Sequence, residues 1–423
     1  MRFRAVFIIA LPLHPLMTWS ENDLSGPDGE DWRVPVPELV IRQETMAQAL
    51  RDDGLEGALI QNPVDLYYFT GGRQNASLFI SADENVMPVQ YVRRSLKRAR
   101  WEAGADDAPH EVESFPRLKE FSAAIGCAPA LQHGAIPSAF ASRFSSALGD
   151  GGDCTGLVHA LREDKSTWEV EMMRCAADTQ LQMFKAIADK GGEGMSELEL
   201  VAIAESVSRE AGFAGNINLR RFPMQCDRGV IVSGRAGGIP SFFDAAVGGT
   251  GPYPGAGMGS GFSRVKAGEP VLVDLLHSHR GYLADMTRMF VAGSLSEQWM
   301  TRLDDMLAVK DTVVDGLSGG ATCAEAWVKG SELAAELGHA EHLMGMQPDQ
   351  SRFLGHSLGL ELDESPVVAA GFDRPMISGN TMAIEPKVVH SEGSIGSEDT
   401  WVMTEAGLEP ITADGAFPWL YQW

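Results

Sequence analysis

A chain of 423 residues is too long for one average domain, and 44% hydrophobic with 22% charged residues is the composition of a globular protein able to bury a sizeable core. Its formal net charge of -24, with no run of lysines or arginines, argues against a nucleic-acid partner, because such a surface repels phosphates. Five cysteines (Cys127, Cys154, Cys175, Cys226 and Cys323) with no Cys-x-x-Cys pair suggest neither a disulfide framework nor a zinc knuckle.

At the amino terminus Arg2 and Arg4 precede an apolar stretch from Ala5 to Leu13 that is weakly like a secretory signal. Two prolines, His14 and the lack of a small-x-small cleavage site count against that reading. The stretch is also too short for a bilayer, which needs about 20 residues. Residues 1–30 are therefore read as a flexible or targeting-like arm, and a cytoplasmic protein with no membrane partner is expected.

The segment ETMAQALRDDGLEGALIQNPVDLYYFTGG, from Glu44 to Gly72, predicts a helix, a turn at Gly54 and a buried strand from Ala58 to Gln61. A loop at Asn62-Pro63 and an aromatic stretch into Gly71-Gly72 follow. Short apolar runs keep alternating with helical stretches up to the small-residue cluster Gly149–Cys154, which marks out an α/β domain over residues 31–158.

Beyond it, Ser166 with Glu169 forms a capping box, and Val170, Met173, Ala177, Leu181 and Phe184 recur at helical spacing. Ser196 with Glu199 repeats the signature ahead of Leu200, Ile203, Ala204 and Val207. Both stripes are core faces. The glycine-rich stretch from Gly248 to Gly261 lacks the Lys-Ser/Thr of a phosphate-cradling loop and is not read as a nucleotide site.

The chemistry is concentrated in the last 150 or so residues. Asp274 and Asp285 lie in two apolar runs around a polar turn, and strands paired about a centre between His279 and Arg280 set them directly opposite. Glu385 and Glu398 likewise flank a turn region containing Gly393 and Gly396. Like charges across a ladder repel, and carboxylates in strands this apolar cost several kcal/mol to bury. Any one of them alone would be an ordinary acid beside a turn; two facing pairs call for a cation. With His356 in GHSLG as a fifth member, they form a ligand set for two divalent metal ions, for which Mn, Co, Fe or Zn are suited.

The motif order Asp274, Asp285 in ADMTR, then GHSLG, AIEP and SEDT resembles the pita-bread metallopeptidases of the M24 type: prolidase, Xaa-Pro aminopeptidase, methionine aminopeptidase and their relative creatinase. The resemblance runs from about residue 38 to 412. It implies an α+β fold in which a creatinase-like α/β amino-terminal domain precedes a pita-bread catalytic domain over residues 159–423. It further implies that Asp274 chelates one metal, Asp285 and Glu398 bridge both, and His356 and Glu385 bind the second. Glu385 would serve as general acid/base toward a water activated by the two metals. The expected function is a dinuclear-metal hydrolase of the Xaa-Pro aminopeptidase or dipeptidase kind, acting as a homodimer on a small peptide.

Three positions depart from the family pattern. No histidine occurs between His159 and His277, Asp363 stands where a histidine is usual, and Gly396 replaces an arginine common two residues before the last glutamate. An acid at 363 would bind a cationic substrate group or abstract a proton, which makes Asp363 a second candidate catalytic residue. It also keeps open a non-peptidase enzyme on the same scaffold: a lyase resembling the dimethylsulfoniopropionate lyase, or a creatinase-like small-molecule amide hydrolase. His277 and His279, in the turn between the aspartates, are candidates for the lost imidazole.

Overall fold

A computed structural model describes residues 19–26, 28–226, 229–412 and 415–423. The signal-like stretch from Ala5 to Leu13 lies outside the described residues. Of the expected arm, Glu21–Leu24 forms a short 3-10 turn, and the Lys97 ammonium sits 4.4 Å from the Trp19 ring centre.

The amino-terminal domain opens with α1 (Val36–Asp52), which turns through Gly54 (φ 73) into β1 (Gly57–Ile60), buried at every position. The expected loop at Asn62-Pro63 is instead the start of α2 (Pro63–Thr70). The Asn62 side chain accepts from the amide of Val64 at 2.8 Å, Pro63 supplies a preset φ where no amide donor is needed, and Gly71 (φ 72) ends the helix. There follow β2 (Ala76–Ser81), β3 (Val89–Val92), α3 (Leu96–Glu102), β4 (Glu111–Ser114), α4 (Leu118–Ile125), β5 (Ala130–Leu131) and α5 (Ser138–Leu148). The strands form one mixed sheet in the order β4-β3-β2-β1-β5.

Helix α6 (Thr155–Leu161) runs across the expected domain boundary at residue 158, and α7 (Thr167–Lys190) and α8 (Glu197–Glu210) begin the second half. Both capping boxes form as expected: Ser166 and Ser196 each accept from the amide three residues on at 3.2 Å. Met173, Ala177 and Phe184 of α7 and Leu200 and Ala204 of α8 are buried.

The catalytic half contains β6 (Val230–Ser233), β7 (Val271–His279) and β8 (Tyr282–Val291), then α9 (Glu297–Ser318) and α10 (Cys323–Glu336). It continues with β9 (Gly355–Ser357), β10 (Glu364–Val367), β11 (Thr381–Ile384), β12 (Lys387–His390), β13 (Gly393–Gly396), β14 (Asp399–Thr404), β15 (Gly407–Pro410) and β16 (Leu420–Gln422). Two sheets, β16-β8-β7-β6 and β10-β9-β11-β14-β15, meet where the Thr287 amide donates to the Glu398 carbonyl at 3.2 Å, and the ribbon β12-β13 lies beside that junction. Helices α7 and α8 pack on β7 and β8, while α9 and α10 share a core with β11, β12 and β13.

The β7-β8 register differs from expectation by two residues. His279 pairs with Tyr282 across a two-residue Arg280-Gly281 turn, both at positive φ (49 and 90), so the hairpin centre falls between Arg280 and Gly281. Asp274 therefore faces Thr287 and Asp285 faces Leu276, which makes the two aspartates diagonal neighbours on one face. The second pairing has the expected register: Ile384 opposes Asp399 and Lys387 opposes Gly396, which brackets Glu385 and Glu398 at one level. Its turn is Ser391-Glu392, with Gly396 inside β13.

The two domains share one core. Met46, Leu50 and Phe69 of the first pack in the same cluster as Met173, Tyr282 and Leu358 of the second. Arg42 donates to the Tyr282 hydroxyl at 3.1 Å, that hydroxyl donates to Glu169 at 2.9 Å, and the Tyr67 hydroxyl donates to the Arg280 carbonyl at 2.7 Å.

Candidate metal centre

Five separate stretches deliver the five expected ligands to one place. Asp274 and Asp285 come from the face of β7 and β8, His356 from β9, Glu385 from the exit of β11 and Glu398 from the entry to β14. Strand alternation aims all of them inward, and Asp285, Glu385 and Glu398 are at most 5% exposed. His356 Nε2 lies 4.0 Å from Asp285 Oδ2 and 3.5 Å from Glu385 Oε1. Thr287 donates to Glu398 Oε2 at 2.8 Å. The adjacent acid, Asp399, is taken up by the buried Arg288 at 2.9 Å.

One residue at the centre was missed in the sequence. Lys387 is 1% exposed, and its Nζ donates to Glu385 Oε2 at 2.6 Å, Glu398 Oε2 at 2.7 Å and Asp274 Oδ2 at 3.2 Å. A signal existed: in a run that is otherwise apolar, a lysine two places after Glu385 points to the same side as that glutamate. Burial disfavours its charged form, yet Asp274, Glu385 and Glu398 together hold its pKa well above the ordinary lysine value. Burial, and then the neighbouring carboxylates, push Asp285 well above the usual carboxylate range.

The donor chemistry fits a divalent ion. Asp285, His356 and Glu398 each offer one ligand atom, and these atoms lie within 4.8 Å of one another. The Asp285 Oδ1 is buried without a hydrogen-bond partner, as a ligand oxygen awaiting a cation would be.

The centre forms the floor of a cavity of about 500 Å³, whose wall includes Arg220, Phe243, Met258, Phe353 and Asp363. Asp363 is on that wall, but both its oxygens are engaged, by the amides of Arg220 at 2.7 Å and Arg221 at 2.9 Å. Its neighbour Glu364 has a different task. With Asp65 and Glu361 it surrounds Arg162, which reaches Asp65 at 2.7 Å and Glu361 at 2.9 Å, and Lys165 reaches Glu364 at 3.0 Å. Burial alone would raise the Glu364 pKa, but Arg162, Lys165 and Arg220 hold it well below the usual range.

Neither candidate substitute histidine is on the cavity wall. His277 lies on the far face of β7, buried, with Nδ1 2.8 Å from the Ser208 hydroxyl, and the His279 ring sits 5.7 Å from that of Trp32. The imidazole on the wall besides His356 is His159 of α6. Burial first, and then Arg220, push its pKa down to about 4, so it is neutral at physiological pH. No spacing in the sequence signals its arrival, because α6 is distant in the chain from every ligand.

Comparisons with known proteins give the family of the chain. Residues 171–405 match Metallopeptidase family M24, and residues 42–163 match the Creatinase/Prolidase N-terminal domain. The Xaa-Pro dipeptidase of Pyrococcus furiosus is 22% identical over 375 residues, covering 88% of this chain and 97% of that protein. Among solved structures, dipeptidase PepE from Mycobacterium ulcerans superposes with a TM-score of 0.75 at 22% identity, covering 92% of this chain and 100% of that one. The X-Pro aminopeptidase from Thermotoga maritima superposes with a TM-score of 0.73 at 21% identity, covering 89% of this chain and 100% of that one. With the pita-bread α+β fold, the matched length and the inward-facing ligands in place, the chain belongs to metallopeptidase family M24 and is a metal-dependent hydrolase with a creatinase/prolidase amino-terminal domain.

Proposed function

We propose that the protein cleaves small Xaa-Pro peptides as a dipeptidase or aminopeptidase. The observation that carries this is the convergence of Asp274, Asp285, His356, Glu385 and Glu398 on the floor of a cavity sized for a small ligand, in a family M24 chain. The names of the relatives point the same way. Asp285, His356 and Glu398 would hold a divalent ion of the Mn, Co, Fe or Zn class, which when bound would supply Lewis-acid chemistry to the scissile carbonyl and to water. The five side chains hold enough donors for two ions if the Lys387 ammonium withdraws, and for one if it stays.

Glu385 is the group placed to move protons: it takes one from the attacking water and passes it to the leaving nitrogen. Arg221 and Arg352 on the cavity wall supply positive charge for the free carboxylate of a short peptide. Asp363, expected as an acid meeting the substrate, is assigned to positioning, because its oxygens hold the chain at 220 and 221. Five cysteines outside any disulfide, three of them buried, support a reducing compartment, consistent with the cytoplasm. No helix among the described residues is long and apolar enough to cross a membrane. Exposed Phe222, Phe242, Tyr253 and Phe262, gathered in one segment of chain, support the homodimer, which sedimentation velocity tests.

The second reading, a non-peptidase lyase or amide hydrolase on this scaffold, is favoured by Lys387 in the ligand cluster and by the absence of His277 and His279 from the cavity wall. Hydrolysis of Xaa-Pro dipeptides and longer Xaa-Pro peptides by Mn-, Co- and Fe-loaded protein, with Glu385→Ala as blank, separates the two. Turnover lost in the variant supports the peptidase. A metal-loaded protein that turns over none of the panel overturns it in favour of the second reading.

A further inference from the structure

We infer that Lys387 is a built-in cation standing in one of the two ion positions, so that the centre takes a single divalent ion, at Asp285, His356 and Glu398. The inference deepens the metallohydrolase reading and rests on it. An ammonium has three N–H donors, and here each meets a carboxylate from a different part of the chain: Asp274, Glu385 and Glu398. Asp274 and Glu398 are two of the acids on which an ion in the first position would depend. The ligand atoms that converge on one another belong instead to Asp285, His356 and Glu398, and the buried oxygen without a partner is on Asp285. One cation position is filled by the chain, and the other is open.

The ammonium has no cheap way out. Lys387 is fixed in β12 by its pairing with β13, and its carbonyl accepts from the Met344 amide at 2.8 Å. Its side chain is 1% exposed and lies on the cavity floor, while Val388 and Ile395, on the other face of the ribbon, are packed in apolar core. Withdrawal would strip Asp274 and the buried Glu385 and Glu398 of their shared donor, at a cost of several kcal/mol. A dication placed among the same three oxygens would meet the ammonium at contact distance, where like charges in a dry site repel strongly.

The test is metal stoichiometry on the full-length protein, stripped with chelator, reloaded with excess Mn²⁺ and desalted. One Mn per chain by elemental analysis, with the electron paramagnetic resonance hyperfine pattern of an isolated ion, is the expected result. Two Mn per chain with a spin-coupled spectrum overturns the inference while leaving the peptidase reading intact, since that reading is judged by Xaa-Pro turnover measured separately. Protein that takes up no Mn, and no Co, Fe or Zn in the same protocol, overturns both. In Lys387→Gly the expected count rises to two per chain, and a count that stays at one shows that the lysine is not what excludes the second ion. Lys387→Met, which keeps the stem and removes the charge, is measured alongside in case the glycine variant does not fold, and the wild-type spectrum decides without either.

Discussion

Lys387 stands directly across the β12-β13 ladder from Gly396, and a β-carbon at 396 would lie 2.6 Å from the Lys387 Cα and 2.7 Å from its Cγ. The Pro386 carbonyl oxygen is nearer still, at 2.4 Å, so it is chiefly the backbone of 386 and 387 that requires the glycine. Gly396→Arg, which restores the residue type common in relatives, is expected to destabilise the fold by about 3 kcal/mol or more, because the clash involves backbone as well as side chain. The double change Lys387→Gly with Gly396→Arg is expected to recover only a small part of that loss, because the approaches to the Pro386 carbonyl and to the Cα of residue 387 remain. Chemical denaturation of the three proteins checks it, and a double variant restored to wild-type stability would show that the Lys387 side chain, and not the backbone, carries the clash.

Glu385→Gln keeps the shape of the side chain and removes its capacity to carry a proton. Under the peptidase reading kcat falls by about 10²–10⁴-fold while the protein remains folded and still takes up metal. Steady-state kinetics together with elemental analysis separate this from a loss of the ion.

Asp363→Ala leaves the amides of Arg220 and Arg221 without their acceptor, and a loss of about 1–3 kcal/mol is expected for groups that are partly buried. The loop at 220 and 221 lines the cavity, so KM should rise more than kcat falls. If Asp363 were instead a proton-abstracting base, kcat would collapse, the acidic limb of the pH profile would move, and thermal stability would stay unchanged.

Arg162 is 2% exposed among Asp65, Glu361 and Glu364, and replacing it with methionine would leave the buried Asp65 without its cation and take one of the cations from Glu361 and Glu364. A loss of about 3–5 kcal/mol is expected. Equilibrium urea unfolding measures it, and a loss below about 1 kcal/mol, the size of an exposed pair, would mean that the network is solvated in solution.

His110 provides a pH dependence with a definite sign. Burial pushes its pKa down to about 4 from the ordinary 6.5, and its Nδ1 faces the Gln43 amide nitrogen at 2.9 Å, an arrangement for a neutral ring that accepts. Between those pH values the unfolded chain binds the proton and the folded chain does not, so this contribution is complete above 6.5 and is lost as pH falls towards 4. The loss attributable to His110 is roughly 3 kcal/mol. Glu197, pushed up to about 7 by burial, works in the opposite direction, so the quantity to compare is the difference in pH profile between wild type and His110→Asn.

Asp274, Asp285, His356, Glu385 and Glu398 stand out as candidates because acids in apolar strands leave a local trace, although Asp274 and Asp285 are diagonal and not facing; the capping boxes of α7 and α8 are legible because the cap and its partner are three residues apart. The β7-β8 register was misplaced because Arg280 is a turn residue at positive φ that composition does not advertise, whereas Gly281 does. Helix α2 was read as a loop because Asn-Pro signals both a turn and a helix start, and only the spacing to Gly71 distinguishes them. Asp363 and Glu364 could not be separated by inspection: one caps a loop and the other belongs to an ion network, and the difference is made by Arg162 and Arg220, both well over a hundred residues away. Lys387 leaves a trace of its own, a lone base two residues from Glu385 in a run that is otherwise apolar.

The amino-terminal domain grips the β7-β8 hairpin from behind: Tyr67 holds the Arg280 carbonyl, and Arg42 with Glu169 holds Tyr282. The strands that carry Asp274 and Asp285 are therefore splinted by a part of the chain that contributes no ligand. Trimming the chain to its catalytic half would not isolate the active unit. It would cut away the brace that sets the spacing between two of the ligands, and would expose Met173, Tyr282 and Leu358 as a new sticky face. The two domains are one mechanical object with its working end on one side.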